Sequence, residues 1–455
     1  MKKLSSDKRS QVQIISVESL VPENHLLRKV DKVIDFGFVY DLVDDKYSKD
    51  TGRPSVDPVV LVKMVFIQHL FGIRSLRQTA REVEVNLAYR WFLGFDFTDK
   101  VPHFSTISYN FLNRFTPELT EEIFAHILQL ALIRGFVKPQ TIFIDATHIK
   151  ANANKHKRHK EIALIGARAY DEQLREEIET DRKSNNKKPL KKKDNDDSMP
   201  PGYDDEPKGT TRQVTVSNID PDSGIFRKGE HKVEFAYTTH TACDRNGFIL
   251  GTVTTAGNIH DSRVFDRIYD KVTEKFDEVE TVAVDAGYKT PWICKKIFDD
   301  NRKPSMPYKR PMSKRGFFKT YEYVYDEHFN CVICPNNQVL KYSTTNKNGY
   351  REFKSDPKIC TNCPHISKCT HSANHQKVAI KHIWQNYIEK AEDFRHSPQG
   401  KATYTLRSQT IERVFADAKE KHAMRYTPYR GLQRVSGWVT LKFACMNLKK
   451  MALWA

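Results

Sequence analysis

TIFIDATHI, residues 141–149, and TVAVDAGY, residues 281–288, decide how this chain is to be read. Each run is short and apolar on successive positions, so each reads as a central strand buried on both faces. An aspartate marks each of them. Asp145 sits between Ile144 and Ala146. An ionised carboxylate there is costly unless something compensates it, and a divalent metal at the sheet edge would do so. Asp285 ends its apolar run and is followed by Ala286, Gly287 and Tyr288. The glycine allows a tight turn, so the carboxylate projects at a strand's carboxyl end, where open α/β sheets usually place their sites.

Working outward, HKVEFAYTTHTACDRNGFILGTVTTAG (231–257) reads as two strands joined by a turn at Asp244–Gly247. HDSRVFDRIYDKVTEKF (260–276) and PWICKKIFDDN (291–301) read as helices, and KPSMPY (303–308) as a short strand. The order from Thr141 is strand, excursion, hairpin, helix, strand, helix, strand, which implies a mixed sheet with helices packed against it. The excursion, near 155–213, opens with the basic run KHKRHK. EIALIGARAYDEQLREEIETDRK (161–183) reads as an amphipathic helix, and a low-complexity stretch with Lys and Asp blocks follows.

Residues 22–130 read as mostly helical. Pro58 opens a helix that Gly72 ends, Ser75 caps the next, a break falls at Asn86, and Ser105 caps another. Short helices with small turns and outward cations suggest a helix-turn-helix-like module, with Arg74, Arg77, Arg81 and Arg90 as candidate DNA contacts. The bland alternative is a helical packing domain with no DNA contact.

The whole chain, 455 residues and 39% apolar, can bury a large core, and its 74 basic against 57 acidic residues leave a net charge of +17. That balance points to a polyanionic partner. The longest apolar candidate for a membrane span, Val59 to Phe71, is broken by Lys63, Gln68 and His69. No secretion-type apolar segment opens the sequence. The expectation is a cytoplasmic, nucleoid-associated protein with no membrane partner.

Glu412 lies beside an apolar helix face made by Ile411, Val414, Phe415 and Ala418. Lys419, two turns on, shares Glu412's side of the helix roughly 10 Å away. Read alone, Glu412 is a solvated charge. Read with Asp145 and Asp285, it completes a set of carboxylates from separate elements that suits one or two Mg²⁺ ions and an in-line phosphoryl displacement.

Four stretches carry a resemblance: TIFIDATHIKANANKHK, TAGNIHDSRVF, TVAVDAGYKT and YTLRSQTIERVFADAKEKHAMRYTPYRGL. In that order they resemble the DDE transposases of bacterial insertion sequences, and GRPSVDPVVLVKMVFIQHLFG onward resembles the helical N-terminal domain of that group. The resemblance implies a ribonuclease-H-like catalytic domain with Asp145, Asp285 and Glu412 as its triad. It further implies Mg²⁺ or Mn²⁺ as cofactor, double-stranded DNA as partner and a homodimer in the DNA complex. Tyr404, Arg407, Glu412 and Lys419 resemble the Tyr-Arg-Glu-Lys signature of one transposase branch, which implies DNA contacts by Tyr404, Arg407 and Lys419. Arg407 stands five residues before Glu412, one more than usual, and Ala423 stands where glycine is expected. Arg425, Tyr426, Tyr429 and Arg430 interleave cations and aromatics, as suits contacts to backbone and unstacked bases.

Cys331, Cys334, Cys360, Cys363 and Cys369 form two CxxC pairs and a fifth thiol. Four of them can hold a tetrahedral Zn²⁺. Spacing alone does not choose which four; likeness to relatives favours Cys334, Cys360, Cys363 and Cys369. His365 is a weaker ligand candidate, while Cys243, Cys294 and Cys445 read as core residues.

The expected fold is therefore α/β. An all-helical DNA-binding domain covers 1–135, the catalytic domain begins over 136–310, a Cys-rich insertion fills 311–395, and 396–455 complete the catalytic part with Glu412. The expected activity is DNA transposition. A nuclease of the same fold and a non-catalytic DNA-binding protein stay open as alternatives.

Overall fold

A computed structural model describes residues 9, 11–47, 55–165, 170–190, 210–228, 232–309 and 315–455. Eight helices come first among these: α1 (Val17–Leu20), α2 (Leu26–Val33), α3 (Phe38–Val43), α4 (Pro58–Leu70), α5 (Leu76–Val85), α6 (Leu87–Leu93), α7 (Phe104–Asn113) and α8 (Pro117–Ile133). Their ends follow the local chemistry. Pro58 occupies the first turn of α4, where its missing N–H costs nothing, and Asp57 caps it. Ser75 caps α5 through the Gln78 N–H, and Asn86 ends α5 while capping α6. Ser105 is not the cap expected of it. His103 caps α7, its ring nitrogen accepting from the Ser105 N–H.

The central sheet holds β1 (Thr141–Lys150), β4 (Gly224–Lys228), β5 (Lys232–Asp244), β6 (Ile249–Ala256), β7 (Thr281–Ala283) and β8 (Lys303–Ser305). Its order is β4-β5-β1-β7-β8, with β6 also on β5. On one side β1 meets β5 antiparallel, and on the other it meets β7 parallel, with β8 parallel beyond. This is the mixed order expected, with β1 at its centre. Asp244–Gly247 forms the hairpin turn, with Gly247 at φ 73°. Helices α10 (Phe265–Thr273) and α11 (Pro291–Asp299) flank the sheet, as read from sequence.

The excursion is more ordered than its composition suggests. The stretch read as one helix over 161–183 is a strand and then a helix. β2 (Arg158–Ile165) pairs antiparallel with β3 (Thr210–Ser217), and α9 (Asp171–Ser184) follows β2. The partner strand lies beyond the low-complexity stretch, so nothing local announces the pairing. Residues 191–209, the core of that stretch, lie outside the described residues.

The insertion is a second sheet, β13-β12-β11-β10-β9, built from β9 (Val324–Asp326), β10 (Cys331–Ile333), β11 (Val339–Thr345), β12 (Tyr350–Lys354) and β13 (Val378–His382). It closes a small core of Val332, Leu340 and Phe353. Short helices α12 (Pro357–Thr361) and α13 (Ile366–Cys369) bear cysteines beside it. After α14 (Gln385–His396) and α15 (Pro398–Thr405), the chain ends in α16 (Ile411–Glu420) and α17 (Leu432–Trp454).

One hydrophobic core runs from Leu27 in α2 through Phe66 in α4 and Phe143 in β1 to Leu448 in α17. The long helix α17 packs on α8, α2, α4 and β6. The N-terminal helices and the sheet thus share a core, and α17 is its common wall.

Candidate active site

Asp145 and Asp285 come together beside the parallel ladder. Thr141 pairs with Thr281 and Phe143 with Ala283; Asp145 lies two residues further along β1 and Asp285 two residues past the end of β7. Each carboxylate also accepts a local N–H, Asp145 from Ala146 at 2.8 Å and Asp285 from Gly287 at 2.8 Å. Burial raises Asp145 to about 6. Arg407 and the Ala146 N–H oppose that rise, while Asp285 and Asp261 add to it.

Arg407 is where the structure departs from expectation. It was read as a DNA contact, yet it is only 4% exposed, and its Nη2 donates to Asp145 Oδ2 at 2.6 Å. A 3₁₀ turn, Leu406–Gln409, follows α15, and the chain breaks at Thr410 (φ −109°, ψ −100°) before α16 starts. That break turns Arg407 into the sheet and leaves Glu412 in the first turn of α16, exposed. The buried Arg407 Nη1 has no hydrogen-bond partner. Tyr404 stands under the Arg407 guanidinium, 5.7 Å from it to the ring centroid. Burial raises the Tyr404 phenol, Arg407 opposes the rise, and Asp285, Glu412 and Asp145 all reinforce it. One side chain therefore feels all three carboxylates expected from sequence.

Asp261 also belongs here, although nothing in its own stretch, TAGNIHDSRVF, singled it out. It begins a 3₁₀ turn after β6, and its Oδ1 lies 3.8 Å from Nδ1 of the fully buried His240. Burial first, then His148 and Arg267, drive His240 down to about 3, so this contact is not an ion pair. His240 Nδ1 also lies 3.3 Å from the buried Tyr288 hydroxyl.

Among the described residues, no three His, Cys, Asp or Glu side chains are gathered closely enough to hold a metal ion. The donor chemistry at the sheet still fits a hard divalent cation: carboxylate oxygens only, under mutual repulsion, with a guanidinium supplying positive charge to one of them.

The remaining expected contacts divide. Arg74, Arg77 and Arg81 are exposed, with Arg77 over the Phe104 ring at 4.5 Å. Arg90 is a correction. It is 5% exposed and donates to the carbonyls of Asp96 and Asp99, so it clamps a loop and does not face a ligand. Lys419 is half-buried on α16. The loop after α16 is zipped to the end of β1, Lys150 N donating to Arg425 O and Thr427 N to Lys150 O. Arg425, exposed and paired with Glu420, therefore stands five residues along β1 from Asp145, about 17 Å away. Arg430 donates to the Asn152 carbonyl at 3.1 Å. Ala423 adopts the left-handed φ of 52° that a glycine would take more easily.

In the insertion, Cys331 is buried in β10, while Cys334, Cys360, Cys363 and Cys369 are partly exposed. Burial raises the Cys369 thiol; its Tyr323 hydrogen bond and Lys377 oppose that, and Cys334 and Cys360 add to it. Cys243, Cys294 and Cys445 are buried core residues, as expected.

Residues 15–113 match a family model described as a transposase domain (DUF772), and residues 333–452 match one described as a transposase DDE domain. Glu412 lies within the second match, whereas Asp145 and Asp285 lie between the two. Among solved structures, the chain is similar to one titled as the crystal structure of a pre-cleavage Mos1 transpososome. The identity is 11% and the TM-score 0.16, over 57% of this chain and 61% of that one. This chain thus spans less than two thirds of that chain's length, and a likeness so slight does not discriminate among folds. No curated protein sequence matches the chain. Transposase models thus match the chain towards both of its ends, and the chain is similar there to transposases that carry a DDE domain.

Proposed function

We propose that this protein cuts and joins DNA phosphodiesters at the ends of an insertion sequence, with Asp145, Asp285 and Glu412 as its metal-holding triad. The observation that carries the reading is that Asp145 in β1 and Asp285, just past the end of the neighbouring parallel strand β7, lie close enough to repel, with Glu412 acting on the same Tyr404 as both. A divalent cation, Mg²⁺ or Mn²⁺, held by these carboxylates supplies charge neutralisation for phosphodiester displacement.

The chain's own residues do the rest. Arg407 holds Asp145 in place and keeps one buried N–H for an anionic oxygen. Tyr404 walls the same site. Lys419 lies two turns along α16 from Glu412, where a compact ammonium suits a DNA phosphate. Exposed Arg74, just before α5, and Arg77 and Arg81 on it offer DNA-backbone contacts, and the excess of basic residues supports binding that weakens steeply with salt. Two chains acting together on paired ends would complete the assembly.

Asp145→Ala tests the reading. Cleavage of a DNA bearing the element's ends should fall by at least about a thousandfold, while gel-shift affinity for the same DNA stays within about threefold. A variant that still cuts at the wild-type rate would remove the triad assignment. If the wild-type protein cuts without joining strands, the nuclease alternative replaces transposition.

A further inference from the structure

The loop after β6 brings a fourth carboxylate to this site. Asp261 is fixed by its neighbour: His260 accepts from the Ser262 N–H through Nδ1 at 3.2 Å and also holds the Ser262 hydroxyl at 2.8 Å. That short turn points Asp261 at the Asp285 turn. Gly287 measures the approach. A methyl group built on it would stand 3.1 Å from Asp285 Oδ1 and 3.7 Å from Asp261 Oδ2. The two carboxylates therefore flank one small space, which the absence of a side chain at Gly287 leaves clear.

Charge in this space is uncompensated. Among the described residues, no lysine or arginine forms an ion pair with Asp261 or Asp285. His240, whose Nδ1 lies 3.8 Å from Asp261, is kept neutral by burial. Burial first, then Asp285, raises Asp261 to about 6. A second, independent observation points to a ligand. Arg407, 4% exposed and fixed on Asp145, presents a buried Nη1–H with no acceptor. A buried N–H without an acceptor is costly, and a phosphate oxygen would satisfy it. Carboxylates that repel one another beside a donor awaiting an anion are reconciled by a divalent cation between them.

We propose that Asp261 is a further ligand of the divalent-cation site, acting with Asp145 and Asp285 from the loop that follows β6. The proposal rests on the triad reading above and adds to it an oxygen donor on a separate element. It also gives a role to the buried His240 and Tyr288. His240 lies 3.8 Å from the Asp261 carboxylate and its ring meets the Tyr288 hydroxyl.

Mn²⁺ binding to the full chain, followed by calorimetry and by the loss of free-ion electron paramagnetic resonance signal, separates the two claims. Asp261→Asn should weaken Mn²⁺ affinity by about 10–100-fold with an unchanged melting temperature. Asp261→Glu should recover part of that loss. Asp145→Asn should also lose affinity. Wild-type affinity in Asp261→Asn together with loss in Asp145→Asn overturns the role of Asp261 and leaves the triad standing. Wild-type affinity in both variants overturns the triad reading itself. Should Asp261→Asn fail to fold, Fe²⁺ with ascorbate and peroxide applied to the wild-type chain gives the same answer. Backbone cuts are expected at 257–263 as well as near 145 and 285, and their absence at 257–263 overturns the proposal.

Discussion

Asp244 closes β5 without solvent contact and accepts two backbone donors, Lys138 N at 2.6 Å and Phe248 N at 2.7 Å. Burial nevertheless outweighs those bonds and raises its carboxyl from 3.8 to about 6. A carboxyl bound more tightly to its proton in the folded state stabilises the fold below its unfolded pKa, and that stability is lost as pH rises through the folded value. The window runs from about 4 to about 6, and a shift of two units corresponds to about 3 kcal/mol. Asp145 and Asp261 titrate upward in the same window, so the test is a difference. Urea unfolding of Asp244→Asn, compared with wild type at pH 4 and pH 7, should show a pH slope smaller by about 2–3 kcal/mol over that range. An identical slope would mean that Asp244 keeps an ordinary carboxylate pKa. At this scale the sequence spoke clearly about Asp145 and Asp285, because an acidic residue in an apolar strand is anomalous wherever it occurs. It was silent about Asp261, which looks like any turn aspartate. It misled about Arg90 and Arg407, because a cation's direction depends on acceptors elsewhere: a loop carbonyl for one, and a carboxylate 262 positions away for the other.

The insertion is the element whose chemistry is least settled by its strands. Its sheet already closes on Val332, Leu340 and Phe353, and Cys331 is buried in β10. The other four cysteines lie outside the strands. Cys334 follows β10 in a turn, Cys360 is in α12, Cys363 follows it, and Cys369 ends α13 beneath the Tyr323 hydroxyl at 3.2 Å. We expect protein purified without chelator to carry about one Zn²⁺ per chain. Cys334→Ser and Cys369→Ser should each abolish it, and Cys331→Ser should retain it. Zinc-free wild-type protein with four reactive thiols would sink the claim, and loss of zinc in Cys331→Ser would exchange the ligand set. Elsewhere, elements were legible where their signal was local. The buried strands, the Pro58 and Ser75 helix starts, the Asp244–Gly247 turn and the apolar face of α16 all needed only neighbouring residues. β2 was not legible, because a strand whose partner lies beyond a long excursion is defined by that partner and not by its own pattern.

At the scale of the molecule, the helical region and the catalytic sheet are joined where α4 ends. Gly72, at φ 66°, lies so near the loop after α16 that an added Cβ would meet the Lys421 carbonyl oxygen at 2.5 Å. Beside it, Lys442 of α17 donates to the His422 carbonyl at 2.6 Å, and His422 donates to the His69 carbonyl at 2.8 Å. Gly72→Ala should destabilise the protein by about 2–3 kcal/mol, because backbone strain and a backbone clash add. Gly94→Ala is the control: it has a similar φ of 74° but open space around it, and should cost about 1 kcal/mol. Equal losses in thermal melts of the two variants would show that this junction is loose. Sequence boundaries suggested separable parts here; the shared core was not legible because α17 has apolar residues all round and names no particular neighbour. That helix has a further consequence, in time. The helices it covers are made first, and α17 follows roughly three hundred residues later. At about 5–20 residues per second, that is a wait of about 15–60 s. Through that interval the N-terminal helices carry an apolar surface with nothing native to cover it. The newborn chain is therefore a client for holding chaperones, and its yield should depend on them far more than the finished protein's stability would suggest.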